Sequence, residues 1–172
     1  MKVRDGYLKD SFVYHTLIVD TLVSVLSKVD FDTIVCTGVS GLAVVPAVAY
    51  KLRKPFTIVR NDESAHSTEK VEGYISFKKY VIVDDFVESG ETVERIIDRA
   101  RNYSRKVTSL IGVFTYKRQY FDDSLKNFDF PIYNCSPIYK DTDILDKREW
   151  GCKGITHKRF DKMSCGETKF KL

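Results

Sequence analysis

The chain has 172 residues, 43% of them hydrophobic, enough for one α/β core, with nothing to suggest a second full domain. A formal net charge of +4 with acids and bases interspersed excludes a dedicated nucleic-acid surface, and no apolar run reaches membrane-spanning length. Cys36, Cys135, Cys152 and Cys165 are widely spaced without a C-x-x-C pair, so reduced thiols and a cytoplasmic setting are expected.

In chain order, Ile18, Leu22, Val25, Leu26 and Val29 recur at helical spacing behind Asp10 or Ser11 as an N-cap, which predicts a helix over roughly residues 11–28. A short buried strand at 33–36 leads into a tight loop, Gly38-Val39-Ser40-Gly41. A helix over 42–54 follows, with Pro46 tolerable only near its first turn. Residues 56–59 are a second strand. The stretch 61–73 is polar and lacks apolar periodicity, so it reads as a flexible loop. A strand at 80–84, a helix at 90–102 and a strand at 106–115 repeat the β-α-β pattern, and 131–135 adds a further strand. This alternation predicts an α/β fold with a central, mostly parallel sheet, flanking helices and right-handed crossovers. The whole chain is then one domain with a core over about 10–135, a small variable hood, and a tail over 136–172 whose fold the pattern does not give. Ligands in such sheets sit beyond the carboxyl ends of the strands, where both glycine-bearing loops, 38–41 and 84–92, are expected.

Residues 81–92, Val-Ile-Val-Asp-Asp-Phe-Val-Glu-Ser-Gly-Glu-Thr, run from a β-branched strand through paired carboxylates into a helix start. Asp84 and Asp85 at a strand's carboxyl end can accept hydrogen bonds from vicinal ribose hydroxyls. The backbone N–H groups of Ser89, Gly90, Glu91 and Thr92 can surround a phosphate dianion, and Gly90 lets the backbone approach it closely. The order of parts resembles the phosphoribosyl diphosphate (PRPP) binding motif of the type I phosphoribosyltransferases.

That resemblance implies displacement of pyrophosphate from C1 of PRPP by a nucleobase nitrogen, with Mg2+ bridging diphosphate and ribose hydroxyls. Negative charge then grows on the leaving group while the ribose becomes oxocarbenium-like, so donors are needed on one side and carboxylates on the other. Asp84 and Asp85 take the ribose side and lie near the metal, mostly through PRPP and water. Glu88 occupies the position of an acid proposed in purine-using members to handle the N7 proton, a candidate general acid/base. Gly38-Val39-Ser40-Gly41 resembles the pyrophosphate loop, with Val39, Ser40 and Gly41 as contacts, although Ser40 stands where Lys or Arg is expected. Arg60, His66, Glu72 and Gly73 match a basic stretch and hairpin of the orotate-type members, whereas Asn61 and Ser64 replace two lysines that contact the diphosphate there. Lys117 stands where oxopurine-using members offer a lysine to the base carbonyl, and Trp150 or Tyr139 could stack on a base. Cys152, His157 and Cys165 lack zinc-site spacing.

The expected partners are thus PRPP, Mg2+ and a nucleobase, with an oxopurine in purine salvage favoured, and neither nucleic acid nor membrane; a homodimer stays open. The alternative is a PRPP- or nucleotide-binding regulatory protein on the same fold, without turnover.

Overall fold

The computed structural model describes residues 7–60, 69–104, 108–117 and 130–137. His66, Tyr139, Trp150, the substitutions at Asn61 and Ser64, and the group of Cys152, His157 and Cys165 lie outside them. The elements are α1 (Lys9–Val13), α2 (His15–Leu26), β1 (Thr33–Thr37), α3 (Gly38–Leu52), β2 (Phe56–Val59), β3 (Val71–Gly73), β4 (Lys79–Asp84), α4 (Glu91–Tyr103), β5 (Ser109–Thr115) and β6 (Ile132–Asn134).

The strands form one sheet in the order β3-β2-β1-β4-β5-β6, parallel throughout except for the antiparallel β2–β3 pair. Alternate strand residues feed two cores, as the pleat dictates. Ile34 and Cys36 of β1 with Val81 and Val83 of β4 pack against Ile18, Leu22 and Leu26 of α2 and Val44, Val45 and Val48 of α3. Val35, Tyr80 and Ile82 turn to the other face, onto Val93, Ile96 and Ala100 of α4. Because both faces are covered, the central strands read as nearly unbroken apolar runs: all of β1 is buried, and β4 from its second residue onward.

Three local expectations need correction. The helix over 11–28 is two helices broken at Tyr14 (φ −106°, ψ 21°). Neither Asp10 nor Ser11 caps it, because Leu8 is the N-cap residue of α1 and the buried Ser11 hydroxyl points inward to donate to Tyr116 Oη at 3.4 Å. The predicted loop 38–41 is instead the first turn of α3, so the helix begins four residues early and Pro46 falls in its interior, where it cannot donate to the Leu42 carbonyl. Finally, the end of the polar stretch 61–73 is ordered: Val71, 6% exposed, packs beside Val59, and β3 pairs in register Ile58↔Glu72 and Val59↔Val71. One well-placed valine supplies the anchor that the composition of the stretch conceals.

The strand order reverses between β1 and β4. From β1 the chain crosses through α3 to β2 on one side, while β4 returns on the other side of β1 and continues outward to β5. The segments leaving β1 and β4 therefore diverge at their carboxyl ends and open a crevice between them.

Candidate functional site

That crevice holds a cavity of about 250 Å³ lined by both segments: Thr37, Gly38 and Ser40 after β1, and Asp84 to Gly90 with Thr92, Val93 and Arg95 after β4. Tyr7 closes part of its mouth. Two helices begin here, and neither carries a side-chain N-cap. At α3, Thr37 holds the N-cap position in extended geometry, but its hydroxyl donates to the Val59 carbonyl at 2.6 Å instead of capping. At α4, Gly90 takes φ 83°, a conformation open to glycine at little cost, and the Ser89 hydroxyl accepts from the Glu91 N–H at 3.4 Å. Both helix starts thus stand at the cavity without a side-chain N-cap, and each helix adds the partial positive charge of its amino end. A helix can start this close to the sheet because of Gly41: a Cβ there would lie 2.7 Å from Cys36 Cβ.

Asp84 is the last residue of β4 and Asp85 follows it; they are 7% and 3% exposed. Asp84 Oδ1 accepts from the Asp85 N–H at 2.9 Å and from the Ser40 hydroxyl at 3.2 Å. Burial, and next the charge of Asp85, push the Asp84 carboxyl up from 3.8 to about 7, against the pull of the Ser40 bond. Asp85 Oδ2 has the Lys117 ammonium 3.1 Å away, yet makes no hydrogen bond of its own despite being buried. Lys117 reaches it because the β4–β5 pairing continues past the strand ends, through Tyr116 N–H to the Asp84 carbonyl (3.2 Å) and Lys117 N–H to the Asp85 carbonyl (2.8 Å).

Tyr7 completes this corner. Its carbonyl accepts from Lys117 Nζ at 2.6 Å, its ring centroid lies 3.9 Å from the same ammonium, and its hydroxyl bonds the Asp85 carboxylate. Burial and that carboxylate contact both raise the Tyr7 phenol above its ordinary range. On the opposite side, the fully buried Tyr116 donates to the Ser40 carbonyl at 2.8 Å.

Several residues singled out from the sequence therefore meet: Ser40, Asp84, Asp85, Glu88, Ser89, Gly90 and Thr92 line one cavity, with Glu88 exposed. Others do not. Val39 is 65% exposed to solvent, Gly41 is buried against Cys36, and Glu91 is exposed; none of the three lines the cavity. Arg60 lies outside the lining and pairs with Glu72 at 2.6 Å, its carbonyl taken by Arg99. Lys117 stands behind Asp85 as its counter-ion and is likewise absent from the lining. Sequence reasoning missed Tyr7, Phe86 and Arg95. Arg95 alone left a trace, since it lies on the face of α4 that continues from Thr92 at a three-residue step.

Among the described residues no group of three or more His, Cys, Asp or Glu side chains could hold a metal ion. Two adjacent carboxylates in the cavity lining suit an Mg2+ that keeps water and takes its remaining oxygens from a phosphorylated ligand. No helix among the described residues is long and apolar enough to cross a membrane.

Comparison with known proteins agrees with this architecture. An orotate phosphoribosyltransferase of Sulfolobus acidocaldarius is 24% identical over 132 residues, which are 76% of this chain and 65% of that enzyme. A hypoxanthine/guanine phosphoribosyltransferase of Aciduliprofundum boonei is 25% identical over 114 residues, 58% of this chain and 62% of the relative. This chain therefore spans less than two thirds of the length of either. The crystal structure of orotate phosphoribosyltransferase from Aeropyrum pernix superposes with a TM-score of 0.56 at 16% identity, covering 73% of this chain and 72% of that one, which shows a shared fold. Residues 16–132 match the phosphoribosyl transferase domain family, and the chain belongs to it.

Proposed function

We propose that the protein transfers 5-phosphoribose from PRPP to a nucleobase that presents ring carbonyl oxygens, releasing pyrophosphate. The observation that carries this reading is the convergence of Asp84 and Asp85 with two uncapped helix starts on one cavity. The α4 amides and Thr92 receive the 5-phosphate. Asp84 and Asp85 accept from the ribose hydroxyls, and their negative charge favours the cationic ribose of the transition state. The amides of Gly38 and Ser40 at the start of α3 receive the leaving diphosphate, a role that backbone donors can fill where the family carries a basic side chain. Asp84 and Asp85 would hold Mg2+ partly through water; when bound, that ion neutralises diphosphate charge. Glu88, at the cavity wall, is placed to exchange a proton with the acceptor ring.

The acceptor class rests on Lys117, a donor suited to a carbonyl and opposed to an amino group, which stands behind Asp85 outside the cavity lining and would meet a base once Tyr7 moves aside. Orotate, hypoxanthine and guanine, named in the relatives above, all fall in this class, and those relatives do not favour the narrower oxopurine reading over a pyrimidine. A pyrophosphate-release assay with PRPP, Mg2+ and orotate, hypoxanthine, guanine, xanthine or adenine tests the proposal. Release with an oxo-substituted base supports it, and a preference for adenine refutes the acceptor class. One observation favours a second reading. Ser40 directs its hydroxyl to Asp84, and among the described residues no side-chain cation lines the cavity at the start of α3, as suits a PRPP-binding regulator. PRPP binding without release on any base would establish that reading.

A further inference from the structure

Arg95 lines the cavity beside Glu88, Ser89, Gly90 and Thr92, and it is the one basic residue among the described residues that do so, in a lining that also holds Asp84 and Asp85. Helical side chains lean toward the amino end, so from the second turn of α4 the arginine stem overlies the turn that begins at Glu91 and Thr92. Its Nε is buried and without a hydrogen-bond partner. Glu91, four residues earlier, has the spacing of a helical ion pair, yet no ion pair to Arg95 forms among the described residues. A guanidinium in the cavity lining whose buried Nε has no hydrogen-bond partner, set one turn beyond a helix start without a side-chain N-cap, is arranged for an anion arriving from outside the protein.

We propose that Arg95 is the charged side-chain ligand of the phosphate monoester seated at the start of α4, and that it selects phosphorylated over unphosphorylated ribosyl ligands. The inference rests on the PRPP reading above and assigns the 5-phosphate a donor that the paired-acid motif does not contain. The planar fork offers parallel N–H groups to two phosphate oxygens, which a lysine at this position would match in charge but not in geometry.

The test is titration calorimetry with Mg2+ present, using ribose 5-phosphate, PRPP, inorganic phosphate and pyrophosphate on the wild type, Arg95→Gln and Arg95→Lys. Arg95→Gln is expected to weaken ribose 5-phosphate by about 10- to 100-fold, the range for one charge-assisted bidentate contact, while pyrophosphate affinity holds. Arg95→Lys should recover part of the loss, and it serves as the readout if the glutamine variant does not fold. Unchanged ribose 5-phosphate affinity in Arg95→Gln, or an equal loss for pyrophosphate, would overturn the assignment while leaving PRPP binding intact. A wild type that binds inorganic phosphate in an Arg95-dependent manner, but neither ribose 5-phosphate nor PRPP, would instead sink the PRPP reading and keep Arg95 as an anion ligand.

Discussion

Lys117 Nζ lies 3.1 Å from Asp85 Oδ2, with side chains only 13% and 4% exposed. Such a pair costs desolvation to form, but removing one partner strands a buried charge. Lys117→Ala is therefore expected to destabilise the protein by about 3–5 kcal/mol, and by much less in an Asp85→Asn background. Urea unfolding of the four proteins of this cycle measures the difference. Equal costs in the two backgrounds would mean that the pair is not coupled. Because the lysine also supports Asp85, its effect on acceptor choice must be read from ratios of kcat/KM between bases within one variant.

Asp84 gives the unliganded protein a pH dependence. Its folded value of about 7 lies above the ordinary 3.8, so the folded state holds the proton more tightly than the unfolded chain does. The stability this provides is full below pH 3.8 and is lost as pH rises through about 7. The loss is on the order of 2–4 kcal/mol between those limits. Urea unfolding from acid to alkaline pH should show that fall in the wild type and a flatter profile in Asp84→Asn. Identical slopes would remove Asp84 as the cause.

Replacing both carboxylates, Asp84→Asn with Asp85→Asn, should weaken PRPP by at least about 100-fold, since each lost charged acceptor is worth roughly 1.5–3 kcal/mol. Circular dichroism should show the fold retained. Undiminished PRPP affinity in calorimetry would detach the acids from the ribose.

Tyr116→Phe removes the hydroxyl that donates to the Ser40 carbonyl at 2.8 Å and accepts from Ser11 at 3.4 Å. A stability loss of about 1–2 kcal/mol is expected for the stranded partners. If the tyrosine also holds the first turn of α3 in place, KM for PRPP should rise more than kcat falls. A change in stability alone would confine Tyr116 to packing.

What the sequence showed and what it hid divide by range. The paired acids were legible because strand, carboxylates, glycine and helix follow one another within a dozen residues, and the apolar runs of β1 and β4 announced a covered parallel sheet. The partner of Ser40 was not legible: Asp84 is 44 positions away, and a serine in the place of a basic residue gave no hint that it bonds a carboxylate there. Lys117 was read as a base contact, but it lies outside the cavity lining, and its pairing with Asp85 depends on the ladder running on past the ends of β4 and β5. Tyr7 precedes any periodic pattern, and only the tertiary fold brings it 110 positions along the chain to Lys117.

Under the proposed acceptor role of Lys117, Tyr7 competes with the base for that ammonium. Lys117 has three N–H groups, and Asp85, the Tyr7 carbonyl and the Tyr7 ring already face that ammonium. A base carbonyl would take this donor only from molecules in which Tyr7 has moved aside, and the acceptor affinity would then be the intrinsic one scaled by the open fraction. A substitution at position 7 would then change how tightly every oxo-substituted acceptor binds by one common factor and leave the choice among them untouched.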